Sequence, residues 1–219
     1  MGQAIVDSAK RGAKLIVLPE LVTCGYSFLS STEARPFAEK PDEGRTWLYV
    51  KTLCERLGVY VAYGYMEAGP VGTYYNSQAL MGPQGLLANY RKANLWGNDF
   101  IWATAGTDSP PIVDVEGRKV GLLICRDVRD KSDSMSSLYE LGDADLVAFS
   151  ANFGDGGFPS GTWVRFAKDN GVFLLVSNRY GQEQNNNFGE GGICVISPQG
   201  KVHCDGLKWS EPCIVYADI

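Results

Sequence analysis

Val120-Gly-Leu-Leu-Ile124 is an uncharged apolar run that stops on a thiol, Cys125. A short run of this kind reads as a strand buried on both faces, as in sheets covered by helices on each side. Two other runs end in the same way. Leu15-Ile-Val-Leu-Pro19 leads into Glu20, and Leu86-Leu-Ala-Asn-Tyr-Arg91 leads into Lys92. In open α/β sheets the reactive groups gather beyond the carboxyl ends of strands, so these three side chains are expected to meet despite their separation in sequence. Together they supply a base, a cation and a nucleophile.

The pattern around these runs alternates helix and strand. GQAIVDSAKRG reads as the end of an amphipathic helix closed by Gly12, with a buried strand over 14–18. Apolar residues recur at helical spacing from Glu43 to Leu57, Gly58 stops the helix, and a strand follows over 59–66. Strands over 76–81 and 86–90 flank the turn Gly82-Pro-Gln-Gly85. The second half repeats the scheme, with strands over 112–115 and 119–124, a helix over 134–141 and a strand over 146–150. A helix over 158–170, a strand over 172–177, a hairpin around Ser197-Pro-Gln-Gly200 and a closing strand over 213–217 complete it. Hairpins interrupt the alternation in each half, so two mixed sheets covered by helices fit better than one doubly wound sheet.

The 219 residues fit one globular domain, 45% hydrophobic and 21% charged. No apolar run approaches the roughly 20 residues that cross a bilayer, and a formal net charge of −5 opposes a general nucleic-acid role. Small molecules or another copy of the chain are the expected partners. The six cysteines show no CxxC spacing and His203 is the only histidine, so no zinc or haem signature is present. Without a signal-peptide pattern, the cysteines read as free thiols in a reducing cytoplasm.

The blocks LIVLPELVTCGYS (15–27), NSQALMGPQG (76–85), YRKANLW (90–96), VGLLICRDVR (120–129), SANF (150–153), WVRFAKDN (163–170) and SNRYG (177–181) occur in the order found in the nitrilase-like carbon–nitrogen hydrolases, which the chain resembles over nearly its whole length. The resemblance implies one domain over residues 1–219 with an α/β fold, a four-layer α-β-β-α sandwich of two mixed β-sheets. It matches Glu20, Lys92 and Cys125 to a catalytic triad and needs neither metal nor organic cofactor. By the same resemblance the backbone N–H of Arg126 helps to hold an oxyanion, and the chain forms a homodimer or higher homo-oligomer. Family members usually begin with a further strand before the first helix and carry a tail beyond the last one. Neither is visible here, so the chain reads as short or trimmed.

Other positions depart from the pattern. Arg126 stands where an aromatic residue often follows the nucleophile, Asp130-Lys-Ser replaces an aromatic-proline-acid ending, and Asn94 replaces a histidine. Asp99 is the nearest match to an auxiliary glutamate, with a turn role competing. Asn152, Phe153 and Trp96 are candidates to contact substrate, while packing of the aromatic residues, with Phe158 and Trp163, in the core competes. Arg129, Arg165 and Arg179 read as holding loops.

A free thiol near pKa 8.5 is only a few per cent thiolate at neutral pH, so a working Cys125 needs a base or cation beside it. The implied reaction is hydrolysis of a small amide or N-carbamoyl compound through a Cys125 thioester. A nitrilase or acyl transferase with the same triad, or a catalytically silent binding or scaffold protein of the same fold, are the competing readings.

Overall fold

The computed structural model describes residues 1–128, 141–154, 158–189, 191–204 and 213–219. The helix expected over 134–141 and the loop residue Arg129 lie outside them, apart from Leu141.

The first half opens with α1 (Gly2–Lys10), β1 (Leu15–Val17), a helical turn α2 (Ser31–Ala34) and α3 (Arg45–Leu57). It continues with β2 (Tyr60–Ala68), β3 (Tyr74–Gly82), β4 (Gly85–Arg91) and the turn α4 (Asp99–Trp102). These strands form one mixed sheet in the order β1-β2-β3-β4, with only the β1–β2 pair parallel. Gly58 ends α3 in the left-handed conformation (φ 64°), as its place after Leu57 predicts.

The second half contains β5 (Ile112–Val115), β6 (Arg118–Ile124), β7 (Leu146–Ala151), α5 (Gly161–Asn170) and β8 (Phe173–Asn178). A short hairpin of β9 (Gln182–Glu183) and β10 (Asn186–Asn187) precedes β11 (Cys194–Ile196) and β12 (Val202–His203). The second sheet runs β12-β11-β8-β7-β6-β5, with β6, β7 and β8 parallel in its centre.

Period-two alternation explains the layering. On β2, Val61, Tyr63 and Tyr65 pack with Ile5 of α1 and Val50, Leu53 and Cys54 of α3. The alternate residues Tyr60 and Ala62 join Leu80, Ala88 and Tyr90 against Leu122, Ile124 and Ala148 of the second sheet. Trp163, Phe166 and Ala167 of α5 belong to that second core, and the Trp163 ring meets Phe149 edge-on at 5.7 Å. The result is the expected α-β-β-α sandwich, and every residue of β7 is buried because both of its faces are covered.

Two expectations are corrected. The helix expected from Phe158 begins at Gly161, because a cis Phe158–Pro159 peptide and the extended Ser160 occupy the preceding positions. Residues 213–217 are not a strand, although their apolar character resembles one. Side chains rather than a ladder hold this segment: Arg118 donates to the Ile219 carbonyl at 3.1 Å, and the Arg11 guanidinium lies 3.8 Å from the centre of the Tyr216 ring.

Candidate active site

Glu20, Lys92 and Cys125 each follow a strand, β1, β4 and β6 respectively. Glu20 and Lys92 are fully buried, and Cys125 is only 8% exposed. Lys92 Nζ lies 2.7 Å from Glu20 Oε1 and 2.7 Å from Asp99 Oδ2. Asn76 Nδ2 donates to the same Glu20 oxygen at 2.7 Å and to Asp99 Oδ1 at 3.0 Å. Glu20 Oε2 is buried without a hydrogen-bond partner among the described residues.

Backbone geometry aims these groups. Leu21, directly after Glu20, has φ 47°, and Cys125 itself has φ 44°. Non-glycine residues rarely occupy this region, and such strain collects at functional sites where the surroundings impose it. Cys125 begins a single turn of 3-10 helix through Asp127. The buried Asp127 carboxylate holds that turn by accepting from Ile124 N–H, the Tyr90 hydroxyl, Asn94 N–H and Asn94 Nδ2 at 2.9–3.2 Å. It thereby ties the thiol's turn to the β4 segment carrying Lys92. Beneath the site, Gln78 Nε2 donates to Ser150 Oγ, which donates to the Leu18 carbonyl, both at 2.7 Å, so that β3, β7 and the approach to Glu20 are joined.

Burial sets the electrostatics. It raises the Glu20 pKa; Lys92 opposes the rise and Asp99 reinforces it. For Lys92 burial pulls downward, but Asp99 and Glu20 outweigh it and hold the amine well above its ordinary value. Burial, reinforced by Glu20, pushes the Cys125 thiol far up, and Lys92, with the Asn152 backbone N–H directed at the sulfur, offsets only part of this. Burial therefore favours the neutral thiol over the thiolate. Among the other cysteines, burial raises Cys24 to about 11, and Cys54 and Cys194 to about 12.

The remaining candidates fall in different places. Asp99 starts α4 and points at Lys92, also accepting the Trp96 N–H at 3.1 Å, so it is more than a solvated turn residue. Trp96 is 55% exposed and carries the Arg126 guanidinium 4.5 Å from its ring centre. Asn152 is buried, and neither its side-chain oxygen nor its nitrogen has a hydrogen-bond partner among the described residues. Phe153 packs on Trp163 at 5.3 Å, and Phe158 on the same ring at 6.3 Å, in the core beneath α5. Arg179 does hold loops: it donates to the Leu21 carbonyl at 3.2 Å and pairs with Glu183. Glu183 in turn accepts the N–H groups of Tyr26 and Ser27 at 2.8 and 3.0 Å.

Asn76 was missed as a candidate. Its signal was the sequence Asn76-Ser-Gln78, three polar residues in succession, all buried in a strand that should alternate. A cavity of about 720 Å³ is lined by α1, β1, β8 and residues 213–219, and none of Glu20, Lys92 and Cys125 lines it. Among the described residues no group of three or more His, Cys, Asp and Glu side chains is placed to hold a metal ion.

The sequence profile of the carbon–nitrogen hydrolases matches residues 1–219. The chain belongs to the carbon–nitrogen hydrolase family. Among its relatives in this family, a protein named nitrilase from Pyrococcus abyssi is 32% identical over 199 residues, which cover 90% of this chain and 74% of that one. An omega-amidase of Danio rerio is 28% identical, with 98% of this chain and 79% of the relative covered. A mutant of the amidase from Nesterenkonia AN1, described as from the nitrilase superfamily, superposes with a TM-score of 0.77 at 25% identity, over 92% of this hydrolase chain and 77% of the other.

Proposed function

We propose that this chain is a thiol amidase that cleaves the C–N bond of a small amide through a Cys125 thioester. The observation that carries the reading is the division of labour at Glu20. Oε1 is occupied by Lys92 and Asn76, whereas Oε2 has no partner among the described residues and belongs to a carboxylate within electrostatic reach of the thiol.

Because burial keeps Cys125 protonated at rest, attack and deprotonation occur together. Cys125 Sγ bonds to the amide carbon as Glu20 takes the thiol proton, and the carbonyl electrons move onto oxygen. Lys92 has three N–H groups, two of them spent on Glu20 and Asp99; the third, with the backbone N–H of Arg126, stabilises the oxyanion. Glu20 passes its proton to the leaving nitrogen, the C–N bond breaks and the amine departs. Water deprotonated by Glu20 then attacks the thioester, releasing the carboxylic acid and restoring the thiol. Asp99 keeps Lys92 charged and aimed. Asn152, whose backbone N–H is directed at the sulfur and whose buried side-chain amide has no hydrogen-bond partner among the described residues, is the substrate-orienting group of this reading.

Related proteins support an amide over other substrates. Mutants of the Nesterenkonia amidase have been seen with butyramide bound, in one lacking the cysteine, and with acrylamide added at the active-site cysteine, in one with Gln in place of a Glu. An N-carbamoyl compound is the close variant. The test is ammonia release from butyramide and related primary amides, with Cys125→Ala and Glu20→Gln as controls. Release that depends on both residues supports the reading; release unaffected by Cys125→Ala, or none from any amide, sinks it.

A further inference from the structure

We infer that Asn76 is a positioning residue that decides which oxygen of Glu20 faces Cys125, a conclusion that rests on the proposed role of Glu20 as the base. Asn76 closes a ring of hydrogen bonds: its Nδ2 reaches Glu20 Oε1 and Asp99 Oδ1, and Lys92 Nζ reaches Glu20 Oε1 and Asp99 Oδ2. Its main-chain carbonyl also accepts the Lys92 N–H at 2.8 Å. One residue of β3 thus holds both carboxylates by its side chain and the amine's backbone by its carbonyl.

The orientation of the amide follows from its neighbours. Turned over, its oxygen would face two carboxylate oxygens at 2.7 and 3.0 Å, a repulsive arrangement, so the NH2 group must point into the ring. The oxygen is left buried without a partner among the described residues, a cost that an apolar residue on this strand would not incur. With Oε1 saturated by two donors, Oε2 is the oxygen free for proton transfer. Without Asn76 the carboxylate can rotate about Lys92 and share either oxygen with it.

The charged and titratable groups facing Glu20 are Lys92 after β4, Asp99 in α4, Cys125 after β6, Tyr26 in the loop that follows Glu20, and Arg179 after β8. Asn76 is the neutral donor among them, and its bond favours the ionised carboxylate. Removing it therefore raises the pH at which Glu20 becomes a competent base.

The experiment measures butyramide hydrolysis from acid to alkaline pH for the wild type, Asn76→Leu, which keeps the forked shape, and Asn76→Ala, with thermal melts of each. The expected result is a loss of about 10²-fold in kcat with KM little changed, and an acid limb displaced to higher pH in both variants. Folded variants whose acid limb stays in place, whatever their rate, overturn the inference, because a packing role would not move that limb selectively. Melting of both variants below the assay temperature also overturns it, assigning Asn76 to folding. A wild type that hydrolyses no amide sinks the hydrolase reading itself, and is distinguished from the other failures by needing no Asn76 variant.

Discussion

Gly64 of β2 lies directly against the backbone of Glu20. A Cβ at Gly64 would stand 2.6 Å from Glu20 Cα and 2.4 Å from the Leu21 nitrogen, closer than real carbon contacts allow. The Gly64 N–H also donates to the Pro19 carbonyl at 3.2 Å. Gly64→Ala is therefore expected to push the Glu20 turn away from Lys92. Displacement of a reacting group by about 1 Å can cost 10²-fold in rate, and overpacking typically about 1–3 kcal/mol of stability. Parallel measurement of kcat and the denaturation midpoint checks this; an unchanged kcat would mean that the turn tolerates the shift.

Lys92 is ion-paired with two buried carboxyl groups, so Lys92→Met should cost about 3–5 kcal/mol by leaving buried negative charge without its cation. Adding Asp99→Asn removes part of that charge. The double variant is expected to be more stable at neutral pH than Lys92→Met alone, a coupling that denaturant titration of the full cycle reads directly. Additive losses would contradict the electrostatic account.

Burial raises the folded pKa of Glu20 above its unfolded value, so the fold favours the protonated acid. Its contribution to stability is present at low pH and lost as the pH rises through the folded value. Glu20→Gln removes that titration. Its melting temperature should exceed the wild type's by a margin that grows from acid toward neutral and alkaline pH, while amide hydrolysis falls by about 10²–10⁴-fold. A margin that is flat or shrinks with rising pH would show that Glu20 is not held with a raised pKa.

The Cys125 thiol is pushed up by burial, whereas Cys213 is exposed. A bulky disulfide reagent at neutral pH is therefore expected to label Cys213 ahead of Cys125. Acrylamide, small and amide-shaped, should add to Cys125 with help from Glu20, and Glu20→Gln should slow that addition at least 10-fold at neutral pH. Peptide mapping by mass spectrometry separates the sites, and equal rates in both proteins would remove Glu20 as the thiol's base.

The strand-end positions of Glu20, Lys92 and Cys125 were legible because each terminates an apolar run whose register a buried sheet fixes. Two mixed sheets covered by helices followed from alternation interrupted by hairpins, and the four-layer order from the resemblance to the family. What escaped was set by long-range geometry. Asp99 is seven residues from Lys92, and nothing local shows that its carboxylate turns back onto the amine. Asn76 looked like part of a polar strand segment, and its role exists only because α4 and the Glu20 turn converge above it. Residues 213–217 have strand-like composition, but a strand also needs a neighbouring ladder, which composition does not encode.

The polar bridge Gln78–Ser150–Leu18, like the hydrogen bonds of Asp127 to Tyr90 and Asn94, joins two sheets whose facing side chains are mostly apolar. Glu20 and Lys92 hang from one sheet, Cys125 and Asn152 from the other. The alignment of base and nucleophile is thus a vernier reading of how one sheet is set against its neighbour. Dispersion contacts tolerate a small slide between two greasy faces, but proton transfer does not. In such an arrangement chemistry is the most sensitive gauge of sheet registration, and it should falter under heat, pressure or denaturant while the secondary structure of both sheets is still intact.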